Sequence, residues 1–284
     1  MARLTLWLET IKVSHSVFAL PFALMGAFLA AGGPPGWRTA LWTVVAAVSA
    51  RTAAMTFNRL VDRRFDAANP RTAARALATG AIAPWEAWSV VAVSAAVFVT
   101  ACAALNPLTL RLAPFVLALT LGYSLAKRFT ALAHLVLGMA LALAPLGGWV
   151  AASGRFEGYP VFLSVAVVFW VAGFDIVYAC LDETFDRQAG LRSIPARLGR
   201  AAALKLARVF HAAAFAGFAW TGWRLDLGAP YLAGLAAAGL ALAYEHAIVS
   251  PRDLSRVQVS FLTMNGLASA ALFAATWLSL AIRG

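Results

Sequence analysis

DIVYACLDETFD, residues 175–186, closes a long apolar run and carries four acidic residues toward its exit. A second stretch, NRLVDRRFD at residues 58–66, closes another apolar run in the same manner. On a helix, Asp62 and Asp66, and Asp182 and Asp186, stand at i, i+4, while Asp175, Tyr178 and Asp182 stand at i, i+3, i+7; each set shares one face. Like charges so placed cost a few tenths of a kcal/mol per pair, so positive charge is expected between them. From Asn58, Asp62 and Asp66 to Tyr178, Asp182 and Asp186 the offset is a constant 120 residues, the mark of a repeated helix-and-loop unit.

The runs that these stretches close are not those of a soluble protein. Hydrophobic residues make up 62% of the chain and charged ones 12%, against about 25% charged in soluble domains, and the mean hydropathy is +0.78. Windows of roughly 20 residues place nine spans at 16–32, 37–60, 85–105, 108–126, 132–152, 160–181, 201–223, 231–248 and 257–282. The expected fold is all-α: a multi-pass membrane bundle of about nine helices, one domain over 1–284. Residues 1–13 read as part of it and not as a cleaved leader.

Charge orients the bundle. Seventeen Lys and Arg fall on the side of the N-terminus, five on the other, and Arg51 lies inside the second span. The positive-inside rule puts both acidic stretches at the cytoplasmic face of the cell (inner) membrane. The net charge of +11 is thus a topology signal, and no nucleic-acid partner is expected. Cys102 and Cys180, far apart in apolar spans, suggest neither a disulfide nor a zinc site.

Around the acidic stretches the loops are basic. Arg71 and Arg75, at i, i+4 behind an Asn-Pro turn, suit phosphate oxygens, which guanidinium groups bind in bidentate fashion. Lys127 and Arg128 end the fourth span on the same side, and His15 precedes the first. Arg51 needs a carboxylate, a carbonyl or a water-filled cavity in its span. Glu245 is expected to pair with an arginine, and Asn265 and Ser269 to bond between helices.

Carboxylates without His or Cys among them suit a hard, oxygen-loving ion, and magnesium joins one or two carboxylates to substrate phosphates. With arginines alongside and lipid around, a substrate that is diphosphate at one end and apolar at the other, an isoprenoid diphosphate, meets both demands.

Asn58, Asp62 and Asp66 followed by Arg71 and Arg75, together with Asp175, Tyr178, Asp182 and Asp186, resemble the two aspartate-rich signatures of the UbiA superfamily of intramembrane prenyltransferases. The likeness extends over nearly the whole chain, including KVSHSVFALP at 12–21 and GLRSIP at 190–195. Many members have Asp directly after the first Asn, where this chain has Arg59; metal binding there rests on Asn58, Asp62 and Asp66. The chain looks most like the quinone-forming branch.

The resemblance implies Mg2+ held by Asp62, Asp66, Asp182 and Asp186, and a polyprenyl diphosphate bound by Asn58, Arg71, Arg75, Lys127 and Arg128. It implies attack on the allylic cation by an aromatic acceptor, 4-hydroxybenzoate or 1,4-dihydroxy-6-naphthoate, for ubiquinone or menaquinone. Asp62 and Asp182 serve the ionisation, Tyr178 faces the cation, Asp175 takes the ring proton or holds the acceptor, and Arg51 meets an acceptor carboxylate. Haem O and ether-lipid synthesis are the alternatives within the superfamily. An ion-coupled transporter would need its acids nearer the bilayer midplane, and a phospholipid-forming phosphotransferase a tighter run of aspartates.

Overall fold

The computed structural model describes residues 2–12 and 16–283; His15 lies outside them. The described residues are helical nearly throughout. A short α1 (Ala2–Thr10) precedes α2 (Ser16–Ala31) and α3 (Trp37–Val61). Two small helices, α4 (Arg63–Ala68) and α5 (Ala76–Thr79), form the first polar loop. Then come α6 (Pro84–Leu105), α7 (Pro107–Gly122) with a 3-10 turn (Tyr123–Arg128), α8 (Ala133–Ser153) and α9 (Tyr159–Ala179). A 3-10 turn (Cys180–Asp182) and α10 (Glu183–Gln188) lead to α11 (Ile194–Arg224), α12 (Gly228–Ala247), a π turn (Val259–Met264) and α13 (Asn265–Arg283).

Each of the nine expected runs is helical, but among the described residues seven helices are long and apolar enough to cross a membrane. The first apolar run yields only 16 residues. The run at 231–248 lies on α12, where Tyr244, Glu245 and His246 dilute the apolar character. Large apolar side chains such as Val93, Phe115, Val209 and Leu240 point outward along the helices, as lipid contact requires. Trp37, Trp85 and Trp223 stand exposed at helix ends, where amphipathic rings sit at a membrane interface. This is a multi-pass membrane protein.

The helices pack as two rings that share the α2–α8 pair. In one, α2, α3, α6, α7 and α8 follow each other around; in the other, α8, α9, α11, α12, α13 and α2 close the circle. The second ring is solid. Phe18, Phe22, Met25, Trp170, Phe218, Tyr231 and Leu272 fill it as one buried cluster. A polar latch stitches its far side: Asn265 Nδ2 donates to Glu245 Oε2 at 2.8 Å. Glu245 therefore meets an amide and not the expected arginine, which spares the bundle from burying a second charge. Ser269 bonds back to Gly266 O in its own helix, at 3.0 Å.

The shared pair is held at backbone contact. A Cβ on Gly148 would collide with the Ala23 carbonyl, and one on Gly26 with that of Pro145. Small residues at such a seam let two backbones approach, the main source of packing energy where lipid offers no hydrophobic drive. At the α6–α7 break, Asn106 caps α7 by accepting from Thr109 N (3.0 Å) and ties the corner to α8 through Val150 O (2.8 Å). In α11, Gly199 departs from helical geometry (φ 77°, ψ 162°), separating a first turn from the long span that follows.

Candidate active site

The first ring, with α9 and the turns beside it, bounds a cavity of about 570 Å³, with Asp62, Asp66, Asp182 and Asp186 at one end and apolar walls beyond. Its lining includes α8 residues from Ala133 to Ala151, a rise of about 27 Å at 1.5 Å per residue. The cavity thus follows most of the thickness of a bilayer.

The two acidic stretches enter it by equivalent bends. Asp62 (φ −92°, ψ 2°) ends α3 and starts α4; Asp182 (φ −104°, ψ 3°) ends the turn after α9 and starts α10. The 120-residue offset thus corresponds to matching local structure. The straight shared face expected for each i, i+4 pair is replaced by a corner, because both first aspartates leave the helical ψ. Each corner buries its second aspartate, Asp66 and Asp186, under the loop.

Three guanidinium groups supply the positive charge between the acids. Arg71 grips Asp182 with two nitrogens, Nε at 2.8 Å and the second closer, while its third donates to the Tyr178 hydroxyl at 2.9 Å. Arg75 bonds Asp66 at 2.6 Å, and Arg128 bonds Asp62 at 3.0 Å. Asn58 Nδ2 donates to the other oxygen of Asp62 at 3.2 Å. Lys127 lines the cavity within electrostatic reach of Asp186, Asp175, Asp182 and Asp62.

Charge balance shows in the titration of the loop groups. Burial pushes the Asp62 carboxyl above its ordinary range, and Arg128 offsets only part of that. For Arg71, burial alone would favour loss of the proton, but the Asp182 carboxylate and Tyr178 outweigh it and hold the guanidinium above its usual pKa.

The sequence reading missed several members of the site. Asn69, taken as turn chemistry, donates to Asp182 Oδ1 at 2.8 Å while accepting from Arg71 N at 3.0 Å, so it aligns both halves of the Arg71–Asp182 pair. Arg59, noted as a departure from the family pattern, lines the cavity. His134 is fully buried, with Nδ1 2.7 Å from Asp175 Oδ2; an ionisable residue inside an apolar run was the signal available for it. Phe18, Phe174, Tyr178 and Phe261, gathered from two helices and the π turn, form an aromatic wall on the cavity, with the Tyr178 and Phe261 rings 4.5 Å apart. Arg51 does face the cavity and meets no carboxylate among the described residues; of its expected partners it finds a carbonyl, donating to Lys12 O at 3.2 Å.

The donors at the polar end fit a hard cation in kind, being carboxylate and amide oxygens, and Asp186 Oδ2 is buried with no hydrogen-bond partner. They do not make a ready cage. Among the described residues no three His, Cys, Asp or Glu converge on one point, because Asp62, Asp66 and Asp182 are each drawn to an arginine. Magnesium needs no such cage, since it keeps water and shares substrate phosphates with one or two carboxylates.

Comparison with known proteins gives this architecture its class. The UbiA prenyltransferase family model matches residues 19–277. The 4-hydroxybenzoate octaprenyltransferase of Cupriavidus necator is 34% identical over the full length of both chains. A solved UbiA homologue from Aeropyrum pernix K1 is 38% identical with a TM-score of 0.85, over 93% of this chain and 97% of that one. A UbiA homologue from Archaeoglobus fulgidus, solved bound to GPP and Mg2+, shares the fold at 21% identity (TM-score 0.74, 97% and 99% covered). The class is that of membrane-embedded prenyl-transferring enzymes. The chain belongs to the UbiA prenyltransferase family.

Proposed function

We propose that this prenyltransferase, acting as one membrane-embedded domain over 1–284, moves a polyprenyl group from an allylic diphosphate to an aromatic acid in quinone biosynthesis. The observation that carries the reading is the junction of a charge-matched Arg–Asp cluster with an aromatic-walled apolar cavity about 27 Å long. A diphosphate suits the cluster and a polyprenyl tail suits the cavity. Relatives named for 4-hydroxybenzoate favour that acceptor over 1,4-dihydroxy-6-naphthoate. The excess of Lys and Arg at the carboxylate end supports a cytoplasmic orientation in the inner membrane.

Asp62, Asp66, Asp182 and Asp186, with Asn58, would hold Mg2+. When bound, that ion supplies positive charge to the diphosphate as the allylic C–O bond breaks and its electron pair leaves with the oxygen. Arg71, Arg75, Lys127 and Arg128 add donors to the same oxygens where charge develops. Tyr178 and the phenylalanines beside it turn π faces toward the allylic cation and exclude the water that would capture it. The acceptor ring forms the new C–C bond, and its displaced proton passes to Asp175. Arg51, with no carboxylate partner among the described residues, is suited to the acceptor's carboxylate.

The test is prenyl transfer by the purified protein in lipid nanodiscs, with Mg2+, labelled polyprenyl diphosphate and the two acceptors side by side. Product on 4-hydroxybenzoate is expected. Absence of product on both acceptors would count against an aromatic acid as substrate.

Arg71→Lys keeps the charge but cannot hold both oxygens of Asp182 and the Tyr178 hydroxyl together. It is expected to weaken Mg2+-dependent binding of a non-hydrolysable prenyl thiodiphosphate about tenfold or more, since a bond to a charged group contributes roughly 1.5–3 kcal/mol. Wild-type affinity in titration calorimetry would remove Arg71 from the site.

A further inference from the structure

His134 and Asp175 stand apart from the Arg–Asp cluster. Asp175 lies seven residues before Asp182 on α9, about 10 Å deeper along the axis, and it lines the same cavity. Its hydrogen-bond partner is a histidine and not an arginine. His134, at the start of α8, has no exposed surface.

Two hydrogen bonds decide where the imidazole proton sits. The backbone N–H of Ile194 donates to His134 Nε2 at 3.2 Å. A backbone amide can only donate, so Nε2 is the acceptor, and in a neutral ring the other nitrogen must carry the proton. Nδ1–H therefore donates to Asp175 Oδ2 at 2.7 Å. The same arrangement disqualifies His134 as a relay, because the lone pair that would receive a proton is already engaged.

Ile194 opens α11, and Ser193 just before it caps the helix by accepting from Ala196 N at 3.3 Å. A rigid line of contacts thus runs from the start of α11 through a buried ring to one oxygen of Asp175. The bond to Oδ2 leaves the second oxygen of Asp175, a residue that lines the cavity, for a bound ring.

We propose that His134 is a positioning residue for the acceptor half of the reaction: it fixes the Asp175 carboxylate in the orientation that receives the ring proton. The inference rests on the function proposed above. In the step it serves, the ring C–H bond breaks, the electron pair restores aromaticity, and the proton lands on Asp175 while His134 keeps its own. Ionisation of the diphosphate, the business of the Arg–Asp cluster, does not involve it.

Two substitutions separate the two bonds. His134→Asn puts an amide nitrogen where Nδ1 stood, keeping the donor to Asp175 and abandoning Ile194. His134→Gln reaches the Nε2 position, keeping an acceptor for Ile194 and abandoning Asp175. In nanodiscs with saturating substrates, His134→Gln is expected to lose kcat by about tenfold to a hundredfold, the scale of a misplaced catalytic group. Its affinity for Mg2+ with prenyl thiodiphosphate should match wild type, and His134→Asn should recover kcat to within about threefold of wild type.

Equal kcat in the two variants, whether high or low, would overturn the inference, as would a parallel loss of thiodiphosphate affinity in His134→Gln. Wild type is assayed alongside. If wild type makes no product, the proposed function falls and this inference with it; if wild type works and the variants behave alike, His134 alone loses its role.

Discussion

Asp182→Asn is expected to lower Mg2+-dependent prenyl transfer by about a thousandfold or more, the upper range for removing one preorganised electrostatic contact. The substitution is nearly isosteric, yet it removes the charge that Arg71 grips with two nitrogens and that Asn69 aligns. The guanidinium is left facing a neutral amide, and the proposed diphosphate end of the cavity loses an anionic oxygen for the proposed cation. The bundle should survive, because the pair sits in a polar loop region and Arg71 keeps the Tyr178 hydroxyl at 2.9 Å. The measurement is single-turnover transfer together with thermal unfolding in detergent. Near-normal turnover would remove Asp182 from the metal site, and loss of folding without a separate loss of activity per folded molecule would make the pair structural.

The second large effect concerns the seam between the rings. Gly148→Ala places a methyl group against the Ala23 carbonyl oxygen. Neither partner is a flexible side chain, so α2 and α8 must move apart as rigid bodies. Overpacking a core typically costs about 1–3 kcal/mol, and a backbone collision stands at or above the top of that range. Gly147→Ala is the internal control: a Cβ there meets nothing within 4 Å. A clear drop in the unfolding midpoint for Gly148→Ala and none for Gly147→Ala is expected. Equal midpoints would mean that the helices do not approach so closely. Because α2 also carries Phe18 of the aromatic wall, the destabilised variant should lose transfer beyond what its folded fraction explains.

Much of the site could be read from residue order because charge is expensive in a span. Asp62, Asp66, Asp182, Asp186, Arg71, Arg75 and Arg128 declared themselves by standing at or near the ends of apolar runs, and the structure pairs Arg71 with Asp182 across 111 residues, Arg128 with Asp62 across 66 and Arg75 with Asp66 across 9. Periodicity misled where the chain bends: i, i+4 spacing promises a common face only while ψ stays helical, and Asp62 and Asp182 both leave it. Asn69 was hidden by its own turn chemistry, since Asn before Pro has a sufficient local explanation. His134 was passed over among apolar neighbours, and its partner lies 41 residues away on the next helix. Which partner a buried polar group finds is a property of packing. Glu245 makes the same point, turning to Asn265 and not to an arginine.

Gly199 interrupts the regular backbone of α11. Its backbone angles (φ 77°, ψ 162°) belong to a region nearly closed to side chains, and an added Cβ would touch nothing within 4 Å, so glycine is required by conformation and not by crowding. On one side of the break is the turn that presents Ile194 to His134; on the other is the long span exposed to lipid. Hydrocarbon thickness differs by several Å between membranes, and a span meets the difference by changing its tilt. A continuous helix would carry that tilt into the Ile194 hydrogen bond. With the helix broken at residue 199, tilt of the span need not carry into the turn that holds Ile194 against His134.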